Sequence, residues 1–117
     1  MSDFIGVHPG PVKRAIIDAA TSGNNTLVAA VTSARIRVLY FYLVTSGAVT
    51  VRFESAADGT ALTGQMVMNI GAVIEGTFNP IGHFETVAGE LLNLELSAAI
   101  SVDGWLVYQE VGNTYLA

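Results

Sequence analysis

The sequence predicts an all-β chain folded as a single antiparallel β-sandwich, jelly-roll-like, with an extended N-terminal arm. Three observations carry this expectation. Apolar residues recur at period two through residues 36–44 and 49–53, the repeat of a strand with alternating faces. Turn signals near positions 23, 47, 59, 71, 80, 89 and 104 recur at roughly the 8–12 residue spacing of sandwiches and barrels. No long segment combines helical periodicity with caps, and β-branched residues dominate.

The elements follow in order. Residues 1–12 hold Gly6, Pro9, Gly10 and Pro11, and the run HPGP sets extended or turn backbone in which no helix continues. This stretch reads as the arm, and residues 13–117 as the sandwich domain. Residues 15–18 and 26–31 read as an early strand pair joined by the polar TSGNN at 21–25.

The segment RIRVLYFYLVTSGAVTVRFES, residues 35–55, carries the clearest alternation in the chain. Ile36, Val38, Tyr40, Tyr42 and Val44 fall on one face, and Arg35, Arg37, Leu39, Phe41 and Leu43 on the other. Both faces are apolar past Arg37, so this strand is expected to enter an interior or a subunit interface. Thr45-Ser46-Gly47 then offers a short connection to a half-buried partner strand over 49–54.

Asp58-Gly59 is a favoured dipeptide for a tight turn with positive φ, and it closes a hairpin into the segment that follows. Asp103-Gly104 repeats the device ahead of Trp105. Further strands are expected at 72–78, 83–87, 91–96 and 105–111.

Composition narrows the function classes. At 117 residues the chain fits one domain. It has no cysteine, which excludes a disulfide framework and thiolate metal sites and leaves packing or association to stabilise it. Its residues are 51% hydrophobic and 13% charged, against a charged share of about 25% in ordinary domains. Apolar surface is therefore expected on the isolated subunit, and with it a homo-oligomer or a docked subunit.

The longest apolar run, 38–44, falls far short of the roughly 20 residues of a membrane-spanning helix, so no membrane segment is expected. The N-terminus lacks the basic and apolar regions of a secretory signal. The net charge of −5 argues against a phosphate-binding face and hence against nucleic acid as a partner.

All five basic residues (Lys13, Arg14, Arg35, Arg37, Arg52) precede Phe53, whereas eight of the ten acids follow it. Such segregation suits complementary pairing between subunits, or it is incidental surface spread.

No catalytic residue, cofactor site or metal site is expected, and the chain does not read as an enzyme. No serine lies in a G-x-S-x-G elbow, and no glycine-rich run carries the Gly-Lys-Ser/Thr of a phosphate-binding loop. His83 with Glu85 falls short of the ligands a zinc site needs, and His83 reads as a turn histidine. Glu75, Glu85, Glu90 and Glu95 offer carboxylates for a hydrolytic pair, but only spatial spacing would define one. Tyr40, Phe41, Tyr42, Trp105 and Tyr108 suit either a carbohydrate platform or, preferentially, core and subunit interface.

Taken together, NNTLVAAVTSARIRVLYFYLVTSGAVTVRFES, GTALTGQM and FNPIGHFETVAGELLNLELSAAISVDGWLVYQEV resemble a group of short proteins encoded among the virion genes of tailed phages. The likeness spans about residues 15–111 and is one of strand and turn pattern.

This group includes small β-sandwich or jelly-roll proteins that decorate and cement the capsid as trimers, and parts of fibres and tails. The resemblance implies a structural virion protein on the capsid exterior, made in the bacterial host cytoplasm. Its partners would be itself, as a homotrimer, and the major capsid protein. Val38, Tyr40, Phe41, Tyr42 and Val44 would form the oligomer interface, and Phe4, Ile5, Val7, His8, Pro9 and Pro11 of the arm would touch the capsid. The alternative is a tail or fibre module that recognises a host glycan or surface protein.

Overall fold

The computed structural model describes the backbone of residues 6–114 and the side chains of residues 10–112. The elements are β1 (Gly6–Pro9), β2 (Lys13–Ala19), β3 (Gly23–Val28), β4 (Ala34–Thr45), β5 (Val49–Ser55), β6 (Thr60–Ala61), β7 (Met66–Met68), β8 (Val73–Gly76), β9 (Phe84–Glu85), β10 (Leu92–Leu96) and β11 (Val102–Thr114). The described residues contain no helix, and so none long and apolar enough to cross a membrane.

Two antiparallel sheets pack face to face. In the first, β1 and β2 lie end to end along one side of β11, β4 lies along the other, and β8 and β9 flank β4. In the second the order is β3, β10, β5, with β6 and β7 end to end along the far side of β5. If each end-to-end pair counts as one strand, the first pairs with the last, the second with the next to last, and so on inward. That is a long hairpin rolled across two sheets, the strand order of a jelly roll.

The tip of the rolled hairpin is the connection from β5 to β6, residues 56–59, where Asp58-Gly59 turns the chain. Ala56 and Asp58 take positive φ values of 69° and 55°. A Cβ on Gly59 would stand 1.8 Å from the Ser55 carbonyl oxygen, so only glycine fits.

This topology accounts for the charge segregation. A hairpin folded near residue 58 lays the first half of the chain against the second, so early bases meet late acids. Lys13 pairs with Glu110 at 2.9 Å, Arg37 with Glu85 at 3.0 Å, Arg35 with Glu85 at 3.7 Å and Arg52 with Glu95 at 3.3 Å.

The core lies between the sheets. Phe53 of β5 meets Phe41 of β4 edge-on at 5.1 Å and Phe84 of β9 at 4.9 Å, joining the two layers. Ile17, Ile36, Val38, Leu43, Leu94 and Leu106 close round them, each at most 1% exposed.

Several expectations need correction. β2 and β3 do not form an early strand pair: β2 joins β11 and β3 joins β10, in different sheets. The connection after Thr45 likewise carries the chain from one sheet to the other, so β4 and β5 are not hairpin partners. Gly23, Asn24 and Asn25 belong to β3, where the Asn25 N–H donates to Asn93 Oδ1 and Asn25 Nδ2 donates to the Leu94 carbonyl, tying the segment to β10, whereas residues 29–31 lie beyond it.

Asp103-Gly104 is not a turn but lies within β11, hydrogen-bonded on both sides. The alternation of β4 is also broken. The register with β11 slips between Val107 and Tyr108, leaving Leu39 as the extra residue of a bulge. Ile36 and Val38 point into the core before the bulge, and Phe41 and Leu43 after it.

Candidate functional site

The bulge at Leu39 decides which side chains β4 presents to solvent. Beyond it, Tyr40, Tyr42 and Val44 lie on the outer face of the first sheet, while Val38 and Phe41 are 0% and 7% exposed in the core. Of the five residues expected at an oligomer interface, the structure therefore brings together Tyr40, Tyr42 and Val44. Val38 and Phe41 pack within the subunit.

Neighbouring strands extend this outer face. Trp105 of β11 is opposite Tyr42 and stacks on it, with ring centroids 4.9 Å apart and planes 18° from parallel. Tyr40 tilts against the same indole at 5.8 Å. Ile16 of β2, the other register partner of Trp105, is 74% exposed, and Val73 of β8, opposite Val44, is 49% exposed.

The result is a continuous aromatic and aliphatic surface across four strands. The Tyr42–Trp105 stack uses one face of each ring, which suits a packing surface better than an open sugar platform. Tyr40 donates its hydroxyl to Glu75 Oε2 at 2.7 Å. That hydrogen bond, with burial and repulsion from the carboxylate, pushes the phenol up to about 12. It stays neutral and fixed at physiological pH.

Sequence reasoning grouped the tyrosines with Trp105 but missed Ile16. The signal was present: in residues 13–19, Ile16 alternates in phase with Arg14 and Asp18, out of phase with the core residues Ile17 and Ala19. An aliphatic residue on a charged face marks surface that something covers.

The four glutamates considered for a hydrolytic pair are dispersed. Glu75 holds Tyr40, Glu85 holds Arg35 and Arg37, and Glu90 accepts from Ser55 Oγ at 2.6 Å. Only Glu95 has a carboxylate neighbour, Glu54, which sequence reasoning did not single out. His83 bonds the Thr77 carbonyl through Nε2 at 2.6 Å beside Phe41, and the described residues hold no group of metal-ligating side chains. No cavity forms among them.

Of the arm residues, Phe4 and Ile5 lie outside the described residues. The backbone of Val7, His8 and Pro9 forms β1 on β11, and Pro11 is exposed at the break before β2.

Glu54 anchors a polar network on the outer face of the second sheet. It is fully buried, accepts from Arg52 Nε at 2.9 Å and from Asn93 Nδ2 at 2.9 Å, and lies beside Glu95. Asn93 also donates to Asn24 Oδ1 at 2.8 Å, and Asn24 Oδ1 accepts the Asp58 N–H at 3.1 Å. The network thus pins the tip to β3, β5 and β10.

Burial pushes the Glu54 carboxyl up, but hydrogen bonds with Glu95, Arg52 and Asn93 together hold it below the usual 4.5. Glu95 moves the other way. Its hydrogen bond to Glu54, burial and repulsion from Glu54 raise it, against the pull of Arg52. When the pair holds a single proton, Glu95 is therefore the group that carries it.

The two shifts oppose each other in stability. The Glu54 contribution is present above the ordinary glutamate value and is lost as pH falls through its lowered one. The Glu95 contribution is present below that ordinary value and is lost as pH rises through its raised one. Glu95→Gln keeps a donor for Glu54 without a titrating group, so its stability should hold as pH rises from about 4 to about 7 while the wild type declines. Urea unfolding across that range checks this, and parallel profiles would refute it.

No family model matches the sequence, and no curated protein matches it.

Proposed function

We propose that this protein is a structural component of a tailed-phage virion, a decoration or cement protein that docks on the assembled head. The observation that supports this reading is the uncovered aromatic face of the first sheet, in a molecule whose described residues enclose no cavity. Large contiguous apolar surface marks an interaction site. In this reading the protein acts by contact, not catalysis, as a homo-oligomer on the capsid exterior.

The capsid contact falls to the arm and its strand. β1 is paired on one side only among the described residues, so its free edge can extend a strand of the major capsid protein. Bridging adjacent capsomers after shell expansion adds interface that opposes internal pressure. Binding the assembled shell and not its free subunits stabilises the shell by mass action.

Virions assembled without the protein should lose resistance to heat and to chelators, and should regain it when purified protein is added back. Unchanged resistance would sink the proposal.

A second reading, a tail or fibre recognition module, is favoured by the loop at 77–83, where Phe78 and Ile81 are 59% and 80% exposed. Few copies per virion, with binding to host cells, would support it over decoration.

A further inference from the structure

We propose that two copies of this chain pack face to face through the outer surface of the β11–β4 sheet, about a two-fold axis that crosses the strands at the level of Trp105. This rests on the reading of that face as an oligomer interface. It goes further by naming the symmetry and the residues that select it.

The strand registers arrange the face in rows. Ile16, Trp105, Tyr42 and Glu75 form the middle row across β2, β11, β4 and β8. One step along the strands lie Asp18, Asp103, Val44 and Val73. One step the other way lie Arg14, Val107 and Tyr40. An aromatic middle thus separates an acidic end from a basic one.

Asp18 and Asp103 are register partners and both are exposed. Like charges directly opposite each other destabilise a strand pair, yet neither carboxylate has an ion-pair partner among the described residues. Arg14 is in the same position. Lys13, Arg35, Arg37 and Arg52 are all paired within the chain, and Arg14 alone has no ion-pair partner among the described residues. Its place on an edge strand opposite Val107 explains why.

Arg14 cannot serve the acidic row of its own subunit. Four residues of extended strand separate it from Asp18 by about 13 Å. A two-fold axis across the strands at the middle row exchanges the two outer rows. Each Arg14 then lies over the partner's acidic row, and Trp105 meets its own counterpart. Glu75 meets its counterpart only at the exposed rim.

An axis along the strands would instead set the acidic row against the partner's valines, with no cation to offset the desolvated charge. An isologous contact of this kind closes at two copies. The charge layout therefore selects a pair over the trimer expected from the family resemblance.

The test is sedimentation equilibrium of the full chain at micromolar concentration. Wild type should be a dimer that weakens with salt. Arg14→Asp and Asp18→Arg should each weaken the dimer about tenfold or more, and the double charge swap should recover most of the loss. Trp105→Glu should be monomeric with an unchanged circular dichroism spectrum, since the residue lies outside the core.

A wild-type monomer or trimer, or a double swap no better than the singles, would overturn the proposal. The virion reading fails separately. A dimer that does not bind heads would remove that reading and leave the pair standing, whereas a monomer that binds heads would do the reverse.

Discussion

Gly104→Val is expected to leave no folded protein at room temperature, and Gly104→Ala to cost more than about 4 kcal/mol. Gly104 sits inside β11 with φ at 152°, a backbone conformation that L side chains rarely adopt. A Cβ there would stand 1.8 Å from the Tyr42 carbonyl oxygen and 2.8 Å from its carbon, both backbone atoms of the adjacent β4. Neither can yield without parting the two longest strands of the molecule, which form the centre of the first sheet. Typical domains are stable by about 5–15 kcal/mol, so even the alanine change removes a large share of that, and the bulkier valine the rest. Circular dichroism and urea unfolding check it. An alanine variant that melts within a few degrees of the wild type would contradict the account of this strand.

The second large effect is expected at Asn93, which is fully buried and holds three partners. Its Oδ1 accepts the Asn25 N–H at 2.8 Å, and its Nδ2 donates to Asn24 and to Glu54. Asn93→Ala deprives a buried carboxylate of a donor and leaves a strand N–H without its acceptor, a loss of about 3 kcal/mol. Asn93→Asp keeps the shape but sets a carboxylate against Glu54. It should be at least as damaging near neutral pH, and should recover in part at acid pH, where a proton can bridge the two groups. Urea unfolding at both pH values tests this. An aspartate variant insensitive to pH would show that packing, and not the polar network, holds the hairpin tip.

Strand existence was legible in the sequence because period-two alternation and turn chemistry are local. The Asp58-Gly59 turn stands where its chemistry placed it. Partner choice was not legible, since residues adjacent along the chain usually pair, whereas here β2 to β3 and β4 to β5 pass between sheets. Asp103-Gly104 misled for a related reason. A glycine with positive φ serves a turn or a close backbone approach, and the sequence does not distinguish them.

The candidate face was half legible. Tyr40 and Tyr42 share a face in any reading of β4, but the bulge at Leu39 moves Val38 to the opposite side from them, and no local signal marks it. The segregation of charge was plain in the sequence. Its meaning needed the topology: once the chain rolls up from residues 56–59, the bases find their acids within the chain, and Arg14 stands out as the exception among the described residues.

The decoration proposal holds that the protein covers the assembled shell. Sedimentation of labelled protein with expanded and unexpanded tailed-phage heads assembled without it tests this most directly. The account predicts saturable binding to expanded heads at a fixed number of copies per capsomer, and little to unexpanded ones. Absence of binding to either form would contradict it.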